Sequence, residues 1–166
     1  MDRFERLASA LWRIPGLEVR ENEPMKRHTT FRIGGPARLM VLPRSRKETA
    51  AAVRAATEVG IAPFFLGNGS NLLVADHGYE GFVLKACGLD QVREVNRRLR
   101  AESGITLARL ANAALGRGLT GLEFAHGIPG TLGGAVVMNA GAYGGEMVQV
   151  LTAVTYLDGA GEEHTL

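Results

Sequence analysis

The sequence predicts an α+β fold. A strand–helix–strand run over residues 37–66 has the length of a parallel crossover unit. After Gly67 the apolar runs become short and turn-separated, the pattern of antiparallel pairing. With 166 residues the chain is about one domain long, enough to bury on the order of 70% of its unfolded surface.

The elements follow in order. Phe4, Leu7, Ala8, Leu11 and Trp12 make one apolar stripe on a helix over 2–13, with Asp2 as N-cap and Pro15-Gly16 as its stop. Trp12 reads as packing within that stripe. Residues 17–37 look irregular, apart from a short strand candidate at Thr29–Ile33. Ala37–Leu42 is an apolar strand closed by Pro43. Ser45 and Glu48 have the spacing of a capping box, opening an alanine-rich helix that buries Val53 and Ala56 and ends at Gly60. Pro63–Leu66 is the second strand of the crossover. Leu72–Val74 and Phe82–Leu84 are further strand candidates, and Val92–Glu102 reads as a hairpin. Thr106 caps a helix that runs to Arg117 and stops at Gly118. Val150–Leu157 alternates as a strand, Asp158–Gly161 is a turn, and 162–166 begin its partner. A division falls near Val74–Gly81.

Composition excludes several classes. A net charge of +2 lacks the concentrated basic face of a nucleic-acid binder. One cysteine, Cys87, rules out an intrachain disulfide and a cysteine zinc cage, which points to a reducing, cytoplasmic compartment. No apolar run reaches the roughly 18 residues of a membrane span. His28, His77, His126 and His164 show no paired ligand spacing, so no metal is expected.

Glycine is the conspicuous feature, at 22 of 166 residues and clustered. Gly67-Asn68-Gly69-Ser70-Asn71-Leu72 lies between apolar strands. Such a turn either cradles a phosphate on successive amides or serves as a tight strand-to-strand turn. It is not a dinucleotide fingerprint, because Leu72 stands where the third glycine belongs. The second cluster spans 127–145, where seven of nineteen residues are glycine and most others are small or apolar. That composition has a high entropic cost on folding. Either a ligand lies against its main chain, or helices pack closely on its small residues.

Both clusters, with His28-Thr29-Thr30-Phe31-Arg32-Ile33-Gly34-Gly35-Pro36-Ala37 and Gly121-Leu122-Glu123-Phe124, resemble segments of the UDP-N-acetylenolpyruvoylglucosamine reductase family. The four occur in family order from about residue 25 onward. These are flavoproteins of peptidoglycan precursor synthesis in the vanillyl-alcohol-oxidase or PCMH-type FAD-binding fold. The resemblance implies a small βαβ-containing subdomain and a larger mixed, mainly antiparallel subdomain with helices. Residues 1–24 would be an N-terminal helix and lead-in, about 25–78 the small subdomain, and about 79–166 an incomplete larger one, with the substrate domain absent.

The resemblance further implies noncovalent FAD, with NADPH as reductant and a UDP-linked enolpyruvyl sugar as substrate. Gly67, Asn68, Gly69, Ser70, Asn71 and Leu72 would wrap the pyrophosphate. Ile128, Pro129, Gly130, Thr131, Gly133, Gly134 and Ala135 would form the facing wall. Asn139, Ala140, Gly141, Ala142 and Tyr143 would approach the flavin side, and oriented amides would suffice without Lys or Arg. No catalytic residue is expected within the chain, because the family's arginine, proton-donating serine and late glutamate align beyond Leu166. These residues are therefore expected to bind FAD without turnover. A non-catalytic dinucleotide-binding module and another FAD oxidoreductase of the same fold are the alternatives.

The remaining residues have ordinary readings. Arg93, Arg97, Arg98 and Arg100 fit a solvated hairpin face, Cys87 a buried or half-buried thiol, Glu123 a structural acceptor, and His28 and Thr29 a structural loop.

Overall fold

The structure, a computed structural model, describes residues 2–166. It opens with α1 (Arg3–Leu11), capped as the sequence predicts: Asp2 accepts from the Glu5 amide and Glu5 accepts from the Asp2 amide. The stripe buries Leu7 and Leu11 completely, but Trp12 is 59% exposed. Trp12 is the C-cap, rotated about 100° past Leu11, and so falls off the apolar face that was expected to pack it.

Next comes β1 (Glu18–Pro24), in a stretch expected to be irregular. It runs antiparallel to β2 (Pro36–Leu42). Thr29–Ile33, the strand candidate, is turn and loop instead. The helix α2 (Arg46–Glu58) begins at Ser45, whose hydroxyl accepts from the Glu48 amide at 3.2 Å. The return bond differs from a regular capping box, because Glu48 accepts from the Arg44 amide at 2.8 Å. β3 (Pro63–Leu66) follows, then a long loop, then β4 (Tyr79–Lys85). The segment 72–74 is not a strand. Leu72 and Val74 turn their side chains into a small cluster with Met25, Met40, Leu66 and Val83 instead.

The four strands form one sheet in the order β1-β2-β4-β3, with β4 parallel to both β2 and β3. The strands joined through α2 are therefore separated by β4, and the expected division near residues 74–81 falls on the chain leading into the middle of this sheet. Side chains alternate across it. Leu39, Val41, Phe82 and Leu84 face α1 and α2, packing on Leu7, Leu11, Val53 and Ala56. Each fully buried side chain of this size contributes about 1.5–3 kcal/mol of transfer free energy. Met40 and Val83 face the other way, toward the loop that follows β3. Helices thus occupy one face and the glycine loop the other.

The remainder is built from short pieces. β5 (Val92–Val95) and β6 (Arg98–Ala101) form the predicted hairpin, with Asn96 and Arg97 both at positive φ in its turn. Its four arginines are exposed. α3 (Leu107–Leu115) starts at Thr106, which accepts from the Arg109 amide. α4 (Leu132–Val137) lies within the second glycine cluster. Two-residue strands β7 (Gly141–Ala142) and β8 (Gly145–Glu146) make a tight hairpin. β9 (Thr155–Leu157) pairs with β10 (Glu163–Thr165). The predicted strand from Val150 is shorter than expected because Val150 and Leu151 pack against Leu107, Phe124, Ala125, Ala135 and Met147. None of the helices among the described residues is long and apolar enough to cross a membrane.

Candidate functional site

The first glycine loop starts at the carboxyl end of β3, where a twisted parallel sheet opens toward ligands. The amides of Asn68, Gly69, Ser70 and Asn71 make no hydrogen bond to protein among the described residues. Gly69 sits at φ +64, in the left-handed region, and successive amides around such a residue form an anion-binding nest. The loop is held from behind: its Gly69 carbonyl accepts from the Thr30 amide at 3.1 Å. A Cβ at Gly69 would overlap the His28 carbonyl, so glycine is required there by protein packing as well as by φ.

The second cluster meets this loop. The Ser70 hydroxyl donates to the Pro129 carbonyl at 2.8 Å. A Cβ on Gly130 would lie 3.2 Å from Ser70 Oγ, and one on Gly67 would overlap Thr131 Oγ1. Thr131 is buried at 3% exposure and also bridges to Thr106. Residues 67–70 and 129–131 thus pack directly against each other. The hydroxyl of Ser70, expected to face a phosphate, has its proton on Pro129; Ser70 ties the walls together.

The rest of the predicted wall divides by direction. The Leu132 and Gly133 amides donate to Ile105 and Ser103 carbonyls, at 2.9 and 2.8 Å. Gly133 is glycine because Ser103 Cβ would lie 2.8 Å from a side chain there. Ala135 is buried, Ile128 packs half-buried against the same core, and Gly134 is open. The alternative of small residues serving close packing holds for Gly133 and Ala135, while Gly130 and the buried Thr131 pack against the first glycine loop.

Asn139 to Tyr143 form a separate feature, joined to residues 67–72 by no hydrogen bond among the described residues. Asn139, at φ +44, donates to Glu146 and accepts from the Val148 amide, both at 2.9 Å. Ala140 and Gly141 are backbone-paired, and Tyr143 stands at the hairpin tip, 96% exposed. Asn71 is exposed and Leu72 packs beneath the loop.

A basic wall beside the glycine loop gave no sequence signal. His28 is buried between Glu23, 2.8 Å from its Nε2, and Lys85, whose ammonium lies 2.9 Å from its Nδ1. A lysine can only donate, so Nδ1 accepts and Nε2–H donates to Glu23. Burial, with Lys85 adding to it, holds the imidazole below its ordinary pKa despite Glu23. Burial alone would raise Glu23, but the bonds from His28 and Arg20 outweigh it and keep the carboxyl below its usual range. Elsewhere, Glu123 accepts from the Gly121 amide at 2.8 Å, and burial raises the half-buried Cys87 thiol.

The first loop thus offers a run of free amides at residues 68–71, while Thr131 fills the space beside Gly67 and Ser70 Oγ stands over Gly130. Residues 37–166 match the FAD binding domain family. A UDP-N-acetylenolpyruvoylglucosamine reductase from Caldanaerobacter subterraneus subsp. tengcongensis is 52% identical over 137 residues, covering 82% of this chain and 45% of that protein. The solved UDP-N-acetylenolpyruvylglucosamine reductase from Thermus caldophilus superposes with TM-score 0.72 at 36% identity, over 90% of this chain and 52% of that one. Glucooligosaccharide oxidase from Acremonium strictum, at 17% identity and TM-score 0.71 over 97% of this chain and 36% of its own, shares the fold alone. The chain spans about half the length of the curated relatives it matches, and their name is that of the family its four segments resemble. It belongs to the FAD binding domain family, with the mixed α and β architecture of the PCMH-type fold.

Proposed function

We propose that this chain is the FAD-binding portion of an NADPH-dependent reductase that converts a UDP-linked enolpyruvyl sugar to UDP-N-acetylmuramate in the cytoplasm. The observation carrying this reading is the convergence of the two glycine segments at Ser70 and Pro129. The amides of residues 68–71 bind the diphosphate of noncovalent FAD, and Gly130, Thr131 and Gly134 line the opposite side. The Tyr143 hairpin borders the flavin end. When bound, FAD carries the electron pair between the nicotinamide and the double bond of the sugar. This chain's part is to bind and orient it, and to exclude water from the diphosphate. The small subdomain runs through Lys85, because β4 is the centre of its sheet, and the larger one follows.

The experiment is retention of FAD. Protein mixed with FAD and passed through gel filtration should emerge with the visible flavin bands and show no NADPH-dependent reduction of the enolpyruvyl sugar. Loss of all flavin from correctly folded protein would overturn the cofactor assignment. Turnover by these residues alone would overturn the division of labour.

A further inference from the structure

Next to the glycine loop a cavity of about 370 Å³ is lined by Arg27, His28, Thr30, Arg32, Asn68 and Lys85, among others, and no carboxylate lines it. Its cations are poorly neutralised. Among the described residues no carboxylate comes within ion-pair distance of Lys85 or Arg32; Arg27 reaches only Glu23, at 4.0 Å. Glu23 is already engaged by His28 at 2.8 Å and by Arg20 at 3.0 Å. Lys85 is fixed by one of its three donors on His28 Nδ1, leaving two for another acceptor. Arg32 is held at φ +58, a conformation disfavoured for a side chain of that size and one that clusters at binding sites. The opening is shared with the cradle, since Asn68 lines the cavity and also begins the run of free amides.

From these observations we infer that the pocket is an anion subsite for a phosphate group, with Lys85 and Arg32 as its charged ligands and the Thr30 hydroxyl at its rim. Uncompensated cations grouped around a concavity leave a local positive potential that a dianion relieves. Both side chains can make charge-assisted bonds to phosphate oxygens, Arg32 in bidentate form. The site stands beside the proposed diphosphate cradle and rests on that reading only for the identity of the natural ligand. The phosphate belongs either to FAD itself or to a second phosphate-bearing nucleotide, and the subsite would add two cations to the neutral amides of the loop.

The test uses the 166-residue chain and inorganic pyrophosphate as probe, followed by calorimetry. Wild-type protein should bind pyrophosphate, with affinity falling as salt is raised from 50 to 200 mM, concentrations chosen to bracket a Debye length of about 10 Å. Lys85→Met and Arg32→Gly should each weaken binding about tenfold, the size of one charge-assisted contact. Arg32→Gly is informative because glycine accepts the positive φ, so folding, followed by circular dichroism, should be retained. Equal affinity in wild type and both folded variants, or no binding by wild type, would overturn the subsite. Repeating the titration with FAD present separates the sources. Competition assigns the pocket to the cofactor's own diphosphate; simultaneous binding assigns it to another ligand, and either supports the subsite. If wild type binds pyrophosphate but never retains FAD, the cofactor proposal fails while the subsite stands.

Discussion

The hydroxyl of Ser70 donates to the carbonyl of Pro129 across 59 positions of sequence, and this 2.8 Å bond ties the two glycine segments together. A neutral bond at an exposed site is worth about 0.5–1.5 kcal/mol. Ser70→Ala should therefore weaken FAD binding by a factor of about three to ten, with little change in melting temperature. A loss beyond a hundredfold would mean that the hydroxyl touches the diphosphate directly, since a tie between walls cannot supply that much. Fluorescence titration of flavin quenching would read the difference.

Gly67 and Thr131 make a sharper pair. A methyl at residue 67 would overlap Thr131 Oγ1, whereas Thr131 Cβ lies 3.4 Å from the same position, an ordinary contact. Gly67→Ala alone should push the walls apart and cost at least tenfold in FAD affinity. Adding Thr131→Ala should recover most of that loss, because the clashing atom is gone. Non-recovery in the double variant would show that residue 67 must be bare for the ligand's sake. Both outcomes are read from the dissociation constant, with the melting temperature as control.

What the sequence revealed depended on distance along the chain. Asp2, Ser45 and Thr106 cap their helices through bonds to residues three positions away, and each was legible. The Val92–Glu102 hairpin was legible for the same reason. β1 was not: Glu18–Pro24 is mostly polar, turning only Val19 and Glu23 fully inward, and it exists because β2 pairs with it. Leu72–Val74 misled in the opposite sense, an apolar triplet with no strand beside it. The two glycine clusters were legible from composition, but that they meet was implied only by the resemblance, and the direction each residue faces by neither. Ser103 behind Gly133 and Glu146 against Asn139 are tertiary neighbours. Lys85 escaped notice because its partner, His28, is 57 residues away.

The buried Glu23–His28–Lys85 chain makes stability pH-dependent. His28 has a folded pKa below its unfolded value, so its neutral form is favoured by folding. Its contribution is full above the ordinary imidazole value of about 6.5 and is lost as pH falls through the lower folded value. Glu23, also lowered, loses its contribution further down, as its carboxylate is protonated. Melting temperature should therefore fall on acidification from pH 7 to 5. His28→Gln should flatten that slope while lowering stability at pH 7. An unchanged slope in the variant would assign the dependence to other groups.

Asn139 separates two roles that the glycine-rich composition had merged. Its amide spends both ends on protein, donating to Glu146 and accepting from Val148, and its φ of +44 suits asparagine better than most side chains. These bonds brace the β7–β8 hairpin, whose tip is Tyr143. Asn139→Ala removes both bonds and adds backbone strain, for an expected loss of about 1–3 kcal/mol, or several degrees in melting temperature for a chain of this size. Asn139→Gly removes the same bonds but accepts the φ, and should lose less. If Asn139 acts only as a brace, FAD affinity should follow hairpin order in the two variants, Ala weaker than Gly. If its side chain contacts the cofactor, both should lose affinity equally, since both lack the amide. The ratio of the two dissociation constants therefore decides the role, and the bonds to Glu146 and Val148 predict a ratio clearly above one.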